Sequence, residues 1–225
     1  MGGKYEITGR NSYYKGSAVV GLCGGRVMEN KSAMWKIIGA SNHTNKERQE
    51  DDYYATDPIA IDKLLTVEKP NERIWEPACG GGHLARRLQE KGYRVRSTDI
   101  VDRGYCDEIV DFLSVPPDNI DLTYDILTNP PYKYAMEFVL KALELLQPGC
   151  KCYMFLKLTF LESEKRYKEL FAKQPPKAIY VFSKRVLCAK NGEFERMREG
   201  GGSAVAYAWF VWQKGYTGKT EVSWI

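Results

Sequence analysis

The sequence predicts an α/β domain built on a mostly parallel, doubly wound sheet. Three observations carry this. Strand-type and helix-type segments alternate from residue 73 onward. The first strand-type segment ends in Gly80-Gly81-Gly82 and opens a helix. The last two strand-type segments have no helical segment between them, which predicts an antiparallel pair closing one side of the sheet. The 225 residues suit one large domain with an arm, and 44 % hydrophobic with 28 % charged residues is a globular balance. The longest apolar stretch, 204–212, is strand-sized, so no membrane span is expected.

The elements follow in order. Residues 1–33 hold seven glycines without apolar periodicity and read as an extension, with an edge hairpin at 18–22 as the alternative. A charged run at 46–52 precedes Tyr54-Ala55-Thr56-Asp57-Pro58, where Thr56 is expected to cap a helix through Ile61, Leu64 and Leu65. Strands are expected at 73–77, 93–100, 124–128, 150–158, 178–184 and 205–212. A broken third strand passes Asp111 and Phe112. Helices are expected at 84–89, 135–146 and 162–173, the last two stopped by Pro148-Gly149 and Pro175-Pro176. Residues 185–202 read as a polar, glycine-rich loop.

Some chemistries are excluded early. The chain does not open with a charged-then-apolar signal. Cys23, Cys79, Cys106, Cys150, Cys152 and Cys188 are therefore expected as free thiols in a reducing compartment, the cytoplasm. With only His43 and His83 and no Cys-x-x-Cys, neither a metal site nor a Ser-His-Asp hydrolase is expected. A net charge of +4 permits a nucleic-acid partner without demanding one.

Ligands of open α/β sheets bind at the carboxyl ends of the strands. Glu76-Pro77-Ala78-Cys79-Gly80-Gly81-Gly82 lies at such an end, and Gly80-x-Gly82-x-x-Ala85 fits a loose dinucleotide pattern with Asp99 nineteen residues after Gly80. A plain tight turn would show the same glycines. Glu76 would repel a pyrophosphate, however, and Pro77 lacks a backbone donor. S-adenosyl-L-methionine, with a cationic sulfonium and amino group and no phosphate, suits these residues better. Asp99 would accept from its ribose hydroxyls. Asp111 would take the adenine amino group, and Phe112 would form an apolar wall.

Asn129-Pro130-Pro131-Tyr132 follows the fourth strand and is the sharpest signal in the chain. An NH2 on an sp2 carbon is a poor nucleophile because its lone pair is delocalised. Two fixed acceptors, Asn129 Oδ1 and the Pro130 carbonyl, would draw that nitrogen toward tetrahedral geometry, and the prolines stiffen the turn that holds them. Tyr132 offers a stacking face to a planar target, worth ~1–3 kcal/mol per base. That is comparable to the few kcal/mol needed to unstack a base. Phe194 is the candidate for the opposing face and Phe160 the reserve. Tyr207 and Trp209 alternate within a strand and read as core.

Together, Tyr54-Ala55-Thr56-x-Pro58, Glu76-Pro77, Gly80-x-Gly82, Asp99, Asp111-Phe112 and Asn129-Pro130-Pro131-Tyr132 resemble the Rossmann-like, class I amino-methyltransferases. Their order is similar to the γ group of DNA N6-adenine methyltransferases, and the stretch from Met34 is most similar to the small phage and prophage enzymes. The resemblance runs from Met34 to residue 225, so 34–225 is expected as the methyltransferase domain. It implies a seven-stranded sheet of order 3-2-1-4-5-7-6 with strand seven antiparallel. It implies S-adenosyl-L-methionine as cofactor, with Tyr54, Thr56 and Glu76 near its methionine end. Pro77, Ala78, Gly80, Gly82, Asp99, Ile100, Asp111, Phe112 and Asn129 would complete that site. It also implies a flipped adenine between Tyr132 and Phe194.

The same tetrapeptide serves enzymes that methylate adenines of ribosomal and transfer RNA, and glutamine amides of release factors. The substrate therefore stays open among these, with DNA adenine preferred. A nicotinamide-dependent oxidoreductase and a non-catalytic binding protein are the remaining alternatives. Lys157, Lys165, Arg166, Lys184, Arg185, Lys190, Arg196 and Arg198 fall on late connections, where the family would place DNA. The expectation is that 185–202 closes over the flipped base, hinged at Gly200-Gly201-Gly202. Residues 215–225 are too few for a separate recognition domain, so a short, loosely read site is expected, as in restriction–modification relatives without one.

Overall fold

A computed structural model describes residues 54–117, 123–200 and 203–225. The expected extension, its hairpin, the Met34 boundary and the hinge residues Gly201 and Gly202 lie outside the described residues.

The strands are β1 (Tyr54–Thr56), β2 (Arg73–Glu76), β3 (Arg94–Asp99), β4 (Glu108–Ile109), β5 (Asp125–Thr128), β6 (Lys151–Lys157), β7 (Ala178–Val181), β8 (Cys188–Lys190), β9 (Tyr207–Gln213) and β10 (Glu221–Trp224). The helices are α1 (Ile59–Leu64), α2 (His83–Glu90), α3 (Ala135–Leu145), α4 (Glu164–Arg166, running into a π-helical turn over Tyr167–Phe171) and α5 (Phe194–Glu199). Short 3-10 turns cover Phe112–Ser114, Tyr132–Tyr134 and Leu158–Leu161.

The main sheet has the order β10-β7-β9-β6-β5-β2-β3-β4. Its pairs are parallel except those of β9, which runs antiparallel to both β6 and β7. Stripped of β10, this is the expected 3-2-1-4-5-7-6 order with strand seven antiparallel. The seven-strand count needs correction. Glu221–Trp224 adds an eighth strand, parallel to β7, and all four of its residues are exposed. Glu221-Val222-Ser223-Trp224 does alternate polar and apolar residues, but four residues are too short a run to be read with assurance as a strand.

The second correction concerns 185–202, expected as one loop. It contains β8 and α5, and β8 pairs antiparallel with β1 as a separate ribbon, Thr56 opposite Cys188. Val186, Leu187, Cys188 and Ala189 are all buried, and that short apolar run is what makes the strand. Thr56 accordingly lies in β1 and does not cap α1, which begins after Pro58; Asp57 Oδ1 accepts from the Ile59 N–H at 3.1 Å.

The sheet is covered on both faces, which is why its central strands are apolar throughout. In β6 Cys152, Met154 and Leu156 join Trp75, Phe112, Ile126 and Phe210 on one face. Tyr153 and Phe155 join Ile61, Leu64, Ile74, Leu88 and Trp209 on the other. The Trp209 indole donates to the Ala60 carbonyl at 2.9 Å, fixing α1 on the second face. Asp125, buried at the start of β5, accepts from the Asn71 and Lys151 N–H groups at 2.8 Å each and ties three chain segments together below the site.

Candidate active site

The candidate site lies across the carboxyl ends of β2, β3 and β5, with the β1–β8 ribbon beside it. On the β2 side, Glu76 is only 2 % exposed, and its Oε2 has no hydrogen-bond partner among the described residues. Burial pushes its carboxyl well above the usual carboxylate range, and neighbouring Asp99 adds to this. Asp99 ends β3. Its Oδ2 accepts from the Gly80 N–H at 2.8 Å and its Oδ1 from the Val101 N–H at 3.1 Å, so it latches the glycine turn to the next strand. Gly80 and Gly82 have φ of 53° and 76°. A Cβ on Gly82 would lie 2.2 Å from the Tyr105 ring, so the close turn requires glycine there. Pro77 is buried, Ala78 half-buried, and Ile100 is 63 % exposed beside Asp99.

On the β5 side, Asn129 is held by the ribbon. Its Nδ2 donates to the Tyr54 carbonyl of β1 at 2.9 Å and to Cys188 Sγ of β8 at 3.4 Å. A carbonyl demands the NH2 group on that side, so the amide orientation is fixed. Its Oδ1 is left buried with no partner among the described residues. Pro130 is buried and Pro131 exposed. The Tyr132 hydroxyl sits 3.0 Å from Cys188 Sγ and donates to Tyr207 Oη at 3.3 Å. Burial pushes the Tyr132 phenol and the Cys188 thiol up in pKa, so both keep their protons. The Tyr132 ring lies 6.3 Å from that of Tyr54 and 6.2 Å from that of Tyr207, and the Lys157 ammonium lies 4.4 Å over it.

Three expected placements differ. Phe194 does not face Tyr132: it opens α5 and meets the His83 ring edge-on at 5.4 Å, above the start of α2. Phe112 is 2 % exposed and packed between Trp75 and Phe138 at 5.1 and 5.0 Å, so it offers no wall to a ligand. Its place after a strand end suggested the site, but a large aromatic at a 3-10 turn is drawn into the core. Asp111 is exposed, and its carboxylate caps that turn, accepting from Leu113 N–H at 3.1 Å and Ser114 Oγ at 2.6 Å. The reserve candidate Phe160 is also core, against Phe171 and Phe210. Cys188 and Tyr207, in turn, touch the motif and were not expected to. Nothing in a lone buried thiol within a loop-like stretch signals such a contact.

The basic residues divide. Arg198 pairs with Asp57 at 2.9 Å and Glu195 at 2.5 Å, and Arg196 pairs with Glu193 at 3.0 Å. Arg166 donates to the carbonyls of Phe160, Thr159 and Glu162 and is structural. Lys165, Lys184, Arg185 and Lys190 are exposed. Among the described residues no group of three or more His, Cys, Asp or Glu is placed to hold a metal ion, and no helix is long and apolar enough to cross a membrane.

No family model and no curated protein matches the sequence. Solved structures do match the fold. A protein described as the modification subunit of a type I restriction enzyme from Vibrio vulnificus YJ016 aligns with TM-score 0.54 and 15 % identity over 77 % of this chain and 47 % of its own. The type I restriction enzyme EcoKI M protein aligns with TM-score 0.50 and 14 % identity over 76 % and 45 %. A protein from Listeria monocytogenes described as a class I S-adenosylmethionine-dependent methyltransferase aligns with TM-score 0.46 and 11 % identity over 74 % and 62 %. The chain spans less than half the length of the two restriction-system proteins. The architecture is thus a Rossmann-like one of the kind found in those proteins.

Proposed function

We propose that the protein transfers a methyl group from S-adenosyl-L-methionine to the N6 amino group of adenine in DNA. One observation carries the reading: the Asn129 amide is anchored through its NH2, and its buried Oδ1 is left as an acceptor without a donor. A buried acceptor without a partner costs ~1–3 kcal/mol. An incoming amino group relieves that cost. Asn129 Oδ1, with the Pro130 carbonyl, accepts both hydrogens of the target nitrogen and turns its lone pair outward. A neutral acceptor suffices, because an aromatic amine need not lose a proton before it attacks.

The cofactor fits the other half. The unpartnered Oε2 of buried Glu76 suits a cationic group, and exposed Ile100 beside Asp99 suits the face of an adenine ring. Asp99 still has lone pairs free after its two backbone bonds, enough for a ribose hydroxyl. When bound, the cofactor supplies an electrophilic methyl on sulfur. DNA is preferred over RNA and protein on two grounds. The motif order is similar to that of the γ group, and two fold neighbours, with TM-scores of 0.54 and 0.50, are described as restriction-system modification proteins.

The test uses methyl-tritiated S-adenosyl-L-methionine with duplex DNA, RNA and release factor in separate reactions, followed by nucleoside analysis. Label is expected in N6-methyladenine from DNA. Asn129→Ala is expected to lower turnover ~10²-fold or more, with cofactor affinity within a few-fold. Label confined to RNA or protein would overturn the substrate, and wild-type turnover by Asn129→Ala would overturn the role of the motif.

A further inference from the structure

Beyond β7 the chain turns through Phe182, Ser183, Lys184 and Arg185 into Val186. Parallel pairing of β5 with β6, and antiparallel pairing of β9 with both β6 and β7, put this turn and the start of β9 on the same sheet edge as Asn129. There the turn and the Ala206–Tyr207 end of β9 enclose a cavity of about 270 Å3. At ~30 Å3 of liquid per water this is room for roughly nine waters, enough for a flat ring with part of a sugar. Nothing described for the methyl-transfer site uses it.

Two features give the cavity a chemistry. The first is aromatic. Phe182 and Tyr207 line it, and Phe155 bridges them, 5.8 Å from Phe182 and stacked on Tyr207 at 4.8 Å and 18°. Tyr207 both lines the cavity and accepts a hydrogen bond from the Tyr132 hydroxyl. The second is charge. Lys184 and Arg185 are exposed at the lining, and among the described residues neither has a carboxylate partner. Arg196 and Arg198 are paired with acids, and the Arg166 donors are taken up by backbone carbonyls. Two adjacent uncompensated cations at the mouth of an aromatic-lined cavity match an anionic group joined to a planar ring.

We propose that this cavity holds the nucleotide next to the methylated one, its phosphate on Lys184 and Arg185 and its base against Phe182. The proposal rests on the nucleic-acid reading above and deepens it. One Tyr207 ring then separates the two nucleotides, so the flanking base anchors the strand while its neighbour reaches Asn129. It also accounts for grip on DNA without a phosphate contact from Arg196 or Arg198.

The experiment measures binding of a labelled duplex of about twelve base pairs across a salt series, for the wild type and Lys184→Gln/Arg185→Gln. Each phosphate neutralised contributes about −0.9 to the log–log slope on duplex DNA, so the double variant, which gives up the one phosphate held by both cations, is expected to lose about 0.9. Its cofactor affinity stays at wild-type level. An unchanged slope overturns the phosphate assignment. The second arm places an abasic nucleotide beside the target adenine, on each side in turn. At one position the wild type is expected to lose roughly five- to hundred-fold in affinity, the range for one stacked base. Phe182→Leu, which keeps the packing on Phe155, should lose little more at that position. An equal loss in both proteins overturns the stacking assignment. If DNA takes no label but both signatures appear on RNA, the substrate reading falls and the cavity stands. If no nucleic acid binds, both fall.

Discussion

Cys188 links the two residues that define the target site. Its Sγ lies 3.4 Å from Asn129 Nδ2 and 3.0 Å from Tyr132 Oη, and it is 4 % exposed. It acts through them as a positioning residue. Cys188→Ala should lower turnover about tenfold, equivalent to ~1.4 kcal/mol in the barrier, with cofactor affinity unchanged. Cys188→Ser should recover most of the loss, because a hydroxyl also bridges an amide and a phenol. Separate kcat and KM values for DNA check this, and wild-type kcat in Cys188→Ala would make the sulfur contacts incidental. At this scale the sequence was readable where chemistry dictates residue type and spacing together. Asn129, Tyr132, Glu76 and Asp99 stand at strand ends, as their motif order required. Phe112 and Phe194 were misplaced because an aromatic near a strand end serves a core or a site equally well, and only packing decides between them.

At the scale of elements, the β1–β8 ribbon replaces the expected lid. The Asp57 N–H donates to the Leu187 carbonyl at 2.9 Å, Ala55 faces Ala189, and Arg198 pairs with Asp57. Gly192, at φ 77°, approaches His83 so closely that a Cβ would lie 3.0 Å from Nε2. The ribbon is thus fastened to the start of α1 and α2 while its inner side holds Asn129. A scaffold of this kind need not open. The side chain that must leave for a base to stack on Tyr132 is Lys157, whose ammonium covers the ring. A disulfide across Ala55→Cys/Ala189→Cys tests the point, since directly opposed antiparallel residues have Cα atoms ~4.5–5.5 Å apart, within disulfide reach. The crosslinked protein should keep turnover on DNA near that of its reduced form. Activity lost on oxidation and restored by reductant would show that the ribbon swings as a lid. The pairing was hidden from the sequence because β1 and β8 are each three residues long and the partners Thr56 and Cys188 are 132 positions apart.

At the scale of the whole molecule, the strand order followed from alternation alone, because parallel strands need crossovers and the crossovers are the helices. The added β10 did not follow, since its polar–apolar alternation runs for only four residues, Glu221–Trp224. The same sheet buries Glu76 at its carboxyl edge and Asp125 at the opposite one, and burial raises both pKa values. A carboxyl raised in the folded state binds its proton more tightly there than in the unfolded chain. Its stabilising contribution is complete below the unfolded value of ~4.3 for Glu and is lost as pH rises through the folded value. The free protein should therefore lose thermal stability on going from acid toward neutral pH, and Glu76→Gln should flatten that fall. A cationic ligand beside Glu76 reverses the preference by favouring the carboxylate. Binding of S-adenosyl-L-methionine below the raised folded value should then release a proton from Glu76 and strengthen as pH rises, until Glu76 is ionised before binding. Calorimetry in two buffers of different ionisation enthalpy measures that proton, and Glu76→Gln should abolish its release. Proton release of the same size in Glu76→Gln would place the cationic end of the cofactor elsewhere, away from the β2 edge.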